Sequence, residues 1–140
     1  MKKLLLLFIP LVFFFGCEPE DENVDNCLLH GNWNVDYVDQ SDEVVCYCEH
    51  IESSCTETVE DCMTFNFLEN GEFIAQSSYF DSGEVLGVWS GDCSSGDTVI
   101  LTPNDDTLNV VTLVIQTISN NQLVCSFSDE EGGATFFMTK

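Results

Sequence analysis

The chain has 140 residues and carries 25 Asp and Glu against three Lys and Arg, a formal charge of −22. That balance excludes functions that rest on neutralising phosphate, because nucleic acids and anionic lipid headgroups are held through basic side chains. Seven of the eleven Phe and both Trp lie after residue 16, enough for one packed domain in a length that leaves little room for two.

The first predicted element is a leader. Lys2 and Lys3 precede an apolar run from Leu4 to Phe15, and Gly16 and Cys17 follow. A spanning helix needs about 20 apolar residues, so the short run with its basic start reads as a secretory signal over residues 1–16. The ending Phe14-Phe15-Gly16-Cys17 resembles a bacterial lipobox, in which a small residue precedes a cysteine that is lipidated and becomes the first residue of the mature protein. Phe14 and Phe15 stand where that family usually has Leu and a smaller residue. The resemblance implies lipidation at Cys17 and a membrane partner reached through the anchor. Without the leader, Lys140 is the one basic side chain against 25 carboxylates, a formal charge of −24. Such a surface repels itself, and screening should relieve it. The melting temperature is expected to rise from low to high NaCl or CaCl₂, as thermal unfolding at several salt concentrations would show.

Residues 17–27 follow as an acidic tether, with Glu18, Glu20, Asp21, Glu22 and Asp25 in a stretch without periodicity. Acidic residues directly behind a lipidated cysteine resemble the surface-export signal of Bacteroidetes lipoproteins, which implies the outer face of the outer membrane. A plain spacer, with the protein on the periplasmic face, is the other reading. Strand signals begin at Asn32, where Trp33, Val35 and Tyr37 alternate with Asn34 and Asp36. The same period recurs over Met63–Phe67, and Asn70-Gly71 turns the chain into a return strand over Glu72–Phe80. Further strands are read at Val85–Trp89, Thr98–Thr102, Leu108–Ile118, Leu123–Phe127 and Ala134–Thr139, separated by short polar turns. A helix has only a faint claim, in the cysteine-rich segment.

These signals predict an all-β domain over residues 28–140: about eight antiparallel strands in an up-and-down meander, with a cysteine-rich excursion after the first strand. A meander removes its exposed edges by closing into a barrel. The interior of an eight-stranded barrel is either just filled or holds one small ligand. The candidate interior residues are Trp33, Phe65, Phe67, Phe73, Tyr79, Trp89, Phe127 and Phe136. The rings could fill the space outright, so a cavity of about 300 Å³ or more would separate a binding protein from a filled one.

Gly31-Asn32-Trp33 resembles the Gly-x-Trp that opens the first strand of lipocalins, and Met63–Phe73, Gly87-Val88-Trp89-Ser90 and Asp97–Thr102 are similar in order and spacing to the lipocalin-like domains of Bacteroidetes lipoproteins. The similarity spans roughly residues 28–140 and implies a barrel whose closed end Trp33 plugs. Lipocalins back this Trp with an Arg near the last strand; here Lys140 is the one candidate. The segment Asp42–Cys62 is an addition to the family pattern.

With Cys17 assigned to lipid, Cys27, Cys46, Cys48, Cys55, Cys62, Cys93 and Cys125 remain. In an exported protein they predict three disulfides and one odd thiol, with pairing left open. The excursion is expected to be stapled to itself and to the barrel, and Cys125, in phase with Leu123 and Phe127, is a candidate for the odd thiol or for a bridge to a neighbouring strand. A zinc site from Cys46, Cys48, Cys55, Cys62 and His50 fits the usual paired spacing poorly, and Asn104-Asp105-Asp106 lacks the alternation and Gly of a calcium loop. No metal or cofactor is expected. Catalysis has little to use: His30 and His50 are the imidazoles, and no Gly-x-Ser-x-Gly elbow occurs. Asp97-Thr98-Val99 and Asp106-Thr107-Leu108 resemble the O-glycosylation sequon of Bacteroidetes. The sequence therefore predicts a non-enzymatic, monomeric, lipid-anchored lipocalin-like module of the outer envelope, binding no nucleic acid and taking, at most, a small apolar or neutral ligand. The alternatives are a structural or adhesive protein with a filled barrel and an inhibitor or accessory factor of a secreted enzyme.

Overall fold

The computed structural model describes residues 27–48, 50, 52–105, 109–128 and 132–140. The predicted leader, the lipid acceptor Cys17 and most of the tether lie outside the described residues. Ten strands form: β1 (Gly31–Gln40), β2 (Glu43–Cys46), β3 (Glu57–Thr58), β4 (Thr64–Phe67), β5 (Glu72–Gln76), β6 (Glu84–Gly91), β7 (Thr98–Pro103), β8 (Val111–Ile118), β9 (Gln122–Ser128) and β10 (Gly133–Thr139). Among the described residues there is no helix. Each of β4 to β10 pairs antiparallel with its chain neighbour, and β1 closes the ring by pairing with β4 on one edge and β10 on the other. The result is the predicted eight-stranded antiparallel barrel, with β2 and β3 as the excursion that follows its first strand.

Closure depends on β1 serving three partners. Gly31–Asn34 pair with β4, Asn34–Asp39 with β10, and Tyr37–Gln40 with β2. A register shift between Val35 and Tyr37 marks a bulge at Asp36, where the Asp36 carbonyl accepts from Tyr47 N–H at 2.9 Å and its carboxylate accepts from the Thr139 hydroxyl at 3.1 Å. The bulge also changes the facing of the strand. Trp33 and Val35 are buried inward as the alternation predicts, but beyond the extra residue Val38 is the buried one and Tyr37 turns outward to stack on Phe137 at 4.2 Å. A second shift, between Ile115 and Thr117, does the same to β8.

Two turns differ from what their sequence suggests, one in where it ends a strand and one in its geometry. The return strand β5 stops at Gln76, because Ser77–Gly83 folds into a compact turn: Phe80 N–H donates to the Ser77 carbonyl, Gly83 N–H to Phe80, and Tyr79 N–H to the Ser77 hydroxyl. At the predicted hairpin, Gly71 N–H donates to the Leu68 carbonyl and Gly71 alone takes a positive φ of 84°. Asn70 instead caps the turn, its Oδ1 accepting from Glu72 N–H at 3.1 Å. This is a turn closed by a left-handed glycine rather than one with two left-handed residues.

The two ends of the barrel differ. β1 starts, and β4, β6, β8 and β10 finish, at a closed end where Leu29, Trp33, Val99, Ile115 and Leu123 are buried together. The Ser77–Gly83 turn, Asn104 and Asp105 after β7, and the described part of the excursion stand at the other, open end.

Candidate ligand cup

The inward positions of the strands alternate with outward ones, so the interior composition is set residue by residue. Rings are supplied unevenly around the wall. Phe65 on β4, Phe127 on β9 and Phe136 on β10 cluster on one side, with Phe65–Phe136 centroids 6.0 Å and Phe127–Phe136 centroids 5.9 Å apart. Apart from Phe73 low on β5, the facing strands carry smaller groups inward: Ala75 on β5, Val85 and Gly87 on β6, Leu101 on β7 and Leu113 on β8. Gly87 is a packing requirement, since a Cβ there would overlap the Phe73 ring and the Thr102 carbonyl. Large rings opposite small aliphatics leave a space between them.

That space is an open cup of about 360 Å³. Phe67, Phe73, Leu101, Leu113, Cys125 and Met138, all buried, form its floor and lower wall, and Met63, Phe80, Val85, Pro103 and Val111 reach toward the mouth. The lining is almost wholly apolar; Asn109 contributes its one amide side chain. Below the floor only about 10 Å³ remains among Leu29, Phe67, Val99, Leu113, Ile115, Leu123 and Cys125, so the closed end is packed. Burial pushes the Cys125 thiol up to about 12, which keeps it protonated and uncharged.

The candidate interior residues divide accordingly. Phe65, Phe67, Phe73, Phe127 and Phe136 line the cup. Trp33, fully buried, lies at the closed end: its indole N–H donates to the Leu29 carbonyl at 2.7 Å, and Lys140 Nζ sits 4.5 Å from its ring centroid while donating to the Leu28 and His30 carbonyls at 3.1 and 2.8 Å. Lys140 thus occupies the cationic place beside this Trp. Trp89 does not line the cup; it packs edge-on against Phe67 at 5.9 Å and His30 at 5.6 Å, and its N–H donates to Leu68. Tyr79 is outside the barrel altogether, 62% exposed, because β5 ends before it and the following turn carries it away. Ala75, Leu101, Leu113 and Met138 share the inward phase of the rings, and that phase was the signal for them; aromatic content alone passed over them.

The cysteines pair as Cys27–Cys93, Cys46–Cys55 and Cys48–Cys62, leaving Cys125 free and buried. Two bridges close loops inside the excursion; none joins the excursion to a barrel strand beyond it, and the link to the barrel is instead the β1–β2 ladder. The third ties the chain just before β1 to the β6–β7 connection at the closed end. With all four excursion cysteines in disulfides, no thiolate is left there for zinc, and His50 lies on Tyr37 at 5.9 Å with Nε2 3.4 Å from a Glu52 oxygen. Among the described residues, no group of three or more His, Cys, Asp or Glu is placed to hold a metal.

Asp61 fastens the excursion to the β5–β6 turn. Its carboxylate accepts from the Ser77 hydroxyl at 2.5 Å and from Ser78 N–H at 2.9 Å. The Ser77 bond first, with Ser78 and Cys62 helping against a smaller opposing effect of burial, holds the carboxyl below its ordinary value. A lowered folded-state value contributes stability above the unfolded value of about 4 that is lost as pH falls through the folded one. Asp61→Asn is therefore expected to lower the melting temperature at pH 7, with the gap to the native protein narrowing below about pH 4, as melts across that range would register.

No family model matches the sequence, and no curated protein is significantly similar to it. Among solved structures, a lipocalin-like protein from Bacteroides uniformis is similar, with a TM-score of 0.50 and 16% sequence identity over 81% of this chain and 98% of that one. At that identity the likeness concerns architecture, and together with the closed eight-stranded ring and the plugged end it shows that this chain has a lipocalin-like fold.

Proposed function

We propose that the protein is a non-catalytic carrier or sensor of a small, predominantly apolar ligand, held by a lipid on Cys17 at the bacterial outer membrane. On this reading it acts as a monomer on the cell surface, with the periplasmic face as the alternative site. The observation that carries the reading is the open apolar cup of about 360 Å³. A barrel that served only as a scaffold would gain stability from filling that volume, since unfilled apolar space forfeits dispersion contacts and costs about 24 cal/mol per Å³ in measured core series. The leader and lipobox-like residues support the envelope setting, and the acidic surface supports exclusion of nucleic acids.

Native mass spectrometry of protein purified from its source should show a bound small molecule, and a neutral environment-sensitive dye such as N-phenylnaphthylamine should bind and be displaced by it. Ala75→Trp, which fills the cup from a buried wall position, should abolish dye binding while leaving the far-ultraviolet circular dichroism of the sheet intact. Equal dye binding by that folded variant would refute the assignment. Metabolic labelling with a fatty-acid analogue should mark the native protein and leave the Cys17→Ser variant unlabelled.

A further inference from the structure

We infer that the ligand class of this cup is a cationic amphiphile: an apolar chain or ring system seated among the wall residues, with an ammonium or amidinium group at the mouth. The inference rests on the reading of the cup as a ligand site and adds what the mouth selects.

Three features carry it. The lining offers no charged side chain, so a ligand's ionic group is held at the mouth or not at all. Four of the five mouth residues have a carboxylate close by in the chain: Asp81 follows Phe80, Glu84 precedes Val85, Asp61 stands two residues before Met63 and Asp105 two after Pro103. Asp81, Glu84 and Asp105 are exposed, so a charge outside the cup faces them across water. The countercharge is at the other end of the barrel, where Lys140, the one basic side chain after residue 16, is committed to Trp33 and two carbonyls. A fatty acid or other anionic amphiphile would place its head among carboxylates with no cation to receive it. A cation there meets only favourable charge. The summed long-range attraction of a few such carboxylates through water favours a cation over a neutral head by about tenfold at low ionic strength, and screening removes most of that in high salt.

The test uses the mature chain from residue 17 onward carrying Cys17→Ser, so that neither leader nor lipid calls for detergent, and three ten-carbon probes differing only in the head: decyltrimethylammonium, decanol and decanoate, below their aggregation concentrations. Displacement of N-phenylnaphthylamine gives each affinity. The expected order is decyltrimethylammonium about tenfold tighter than decanol, and decanoate weaker than both, with the spread shrinking to about twofold in 0.5 M NaCl. Tetramethylammonium, which has the charge without the chain, should displace nothing. Asp81→Asn with Glu84→Gln should cut the cationic preference about threefold, whereas Glu69→Gln with Asp92→Asn, the same charge removed at the closed end, should leave it unchanged. Equal binding of all three probes, or an equal effect of the two charge-removing pairs, overturns the inference while leaving the cup a binding site. Failure of every probe and of the dye itself overturns the binding reading on which it rests.

Discussion

Trp33→Ala should lower the stability of the barrel by about 3–5 kcal/mol, read as a fall in the urea midpoint with little change in slope. The side chain is fully buried beneath the cup and is held from three directions: by Leu29 and the other aliphatics of the closed end, by the hydrogen bond from its N–H to the Leu29 carbonyl, and by the ammonium of Lys140 over its face. Truncation removes the largest side chain of the core, leaves the Leu29 carbonyl without that donor and takes away the ring that Lys140 covers. Trp33→Phe separates the contributions. It keeps a ring but not the N–H, and it should cost about 1–2 kcal/mol more than the lost area alone predicts. Since single domains are stable by only about 5–15 kcal/mol, the Ala variant should approach global unfolding near physiological temperature.

Removing the Cys27–Cys93 bridge, as Cys27→Ala with Cys93→Ala, should cost about 4 kcal/mol, because the sequence separation of 66 makes it the cross-link that most restricts the unfolded chain. The excursion bridges span separations of only 9 and 14 and close loops that lie off the barrel. Their removal should open the excursion locally and move the main unfolding transition by under about 1 kcal/mol. Denaturant melts of the two kinds of variant, with hydrogen exchange at Val44 N–H, which donates to the Thr56 hydroxyl, and at Val59 N–H, which donates to the Cys46 carbonyl, as the local readout, check the contrast. A main-transition loss from Cys48→Ala with Cys62→Ala as large as that from the long bridge would contradict the division into barrel and appendage.

The barrel was legible in the sequence because its strands are half-buried and alternate, and because Gly, Asn, Asp and Ser mark nearly every turn. What escaped the alternation was local. The bulge at Asp36 inserts one residue, and no residue type announces it; its effect was to exchange Tyr37 and Val38 between the two faces. Strand β5 looked four residues longer because Ser77, Tyr79 and Phe80 continue a plausible period, whereas the serine hydroxyls and Asp61 bind the backbone into a turn instead. The excursion hid β2 because Glu43-Val44-Val45-Cys46 is too short to show a period, and β3 gets its two residues of pairing from disulfide-held proximity rather than from its own sequence. The cup's rings were readable, but the space was not. It follows from which strands carry rings and which carry Ala75 and Gly87, and that requires knowing which strands face one another across the barrel.

Cys27 and its bridge to Cys93 fix where the preceding chain departs from the domain, and that point is on the opposite pole from the mouth. A fatty chain on residue 17, as proposed above, would therefore be attached through the sealed base, the pole that does not carry the opening. Moored in that way, the vessel would be filled from the aqueous side or by another protein more readily than from the bilayer it is fastened to.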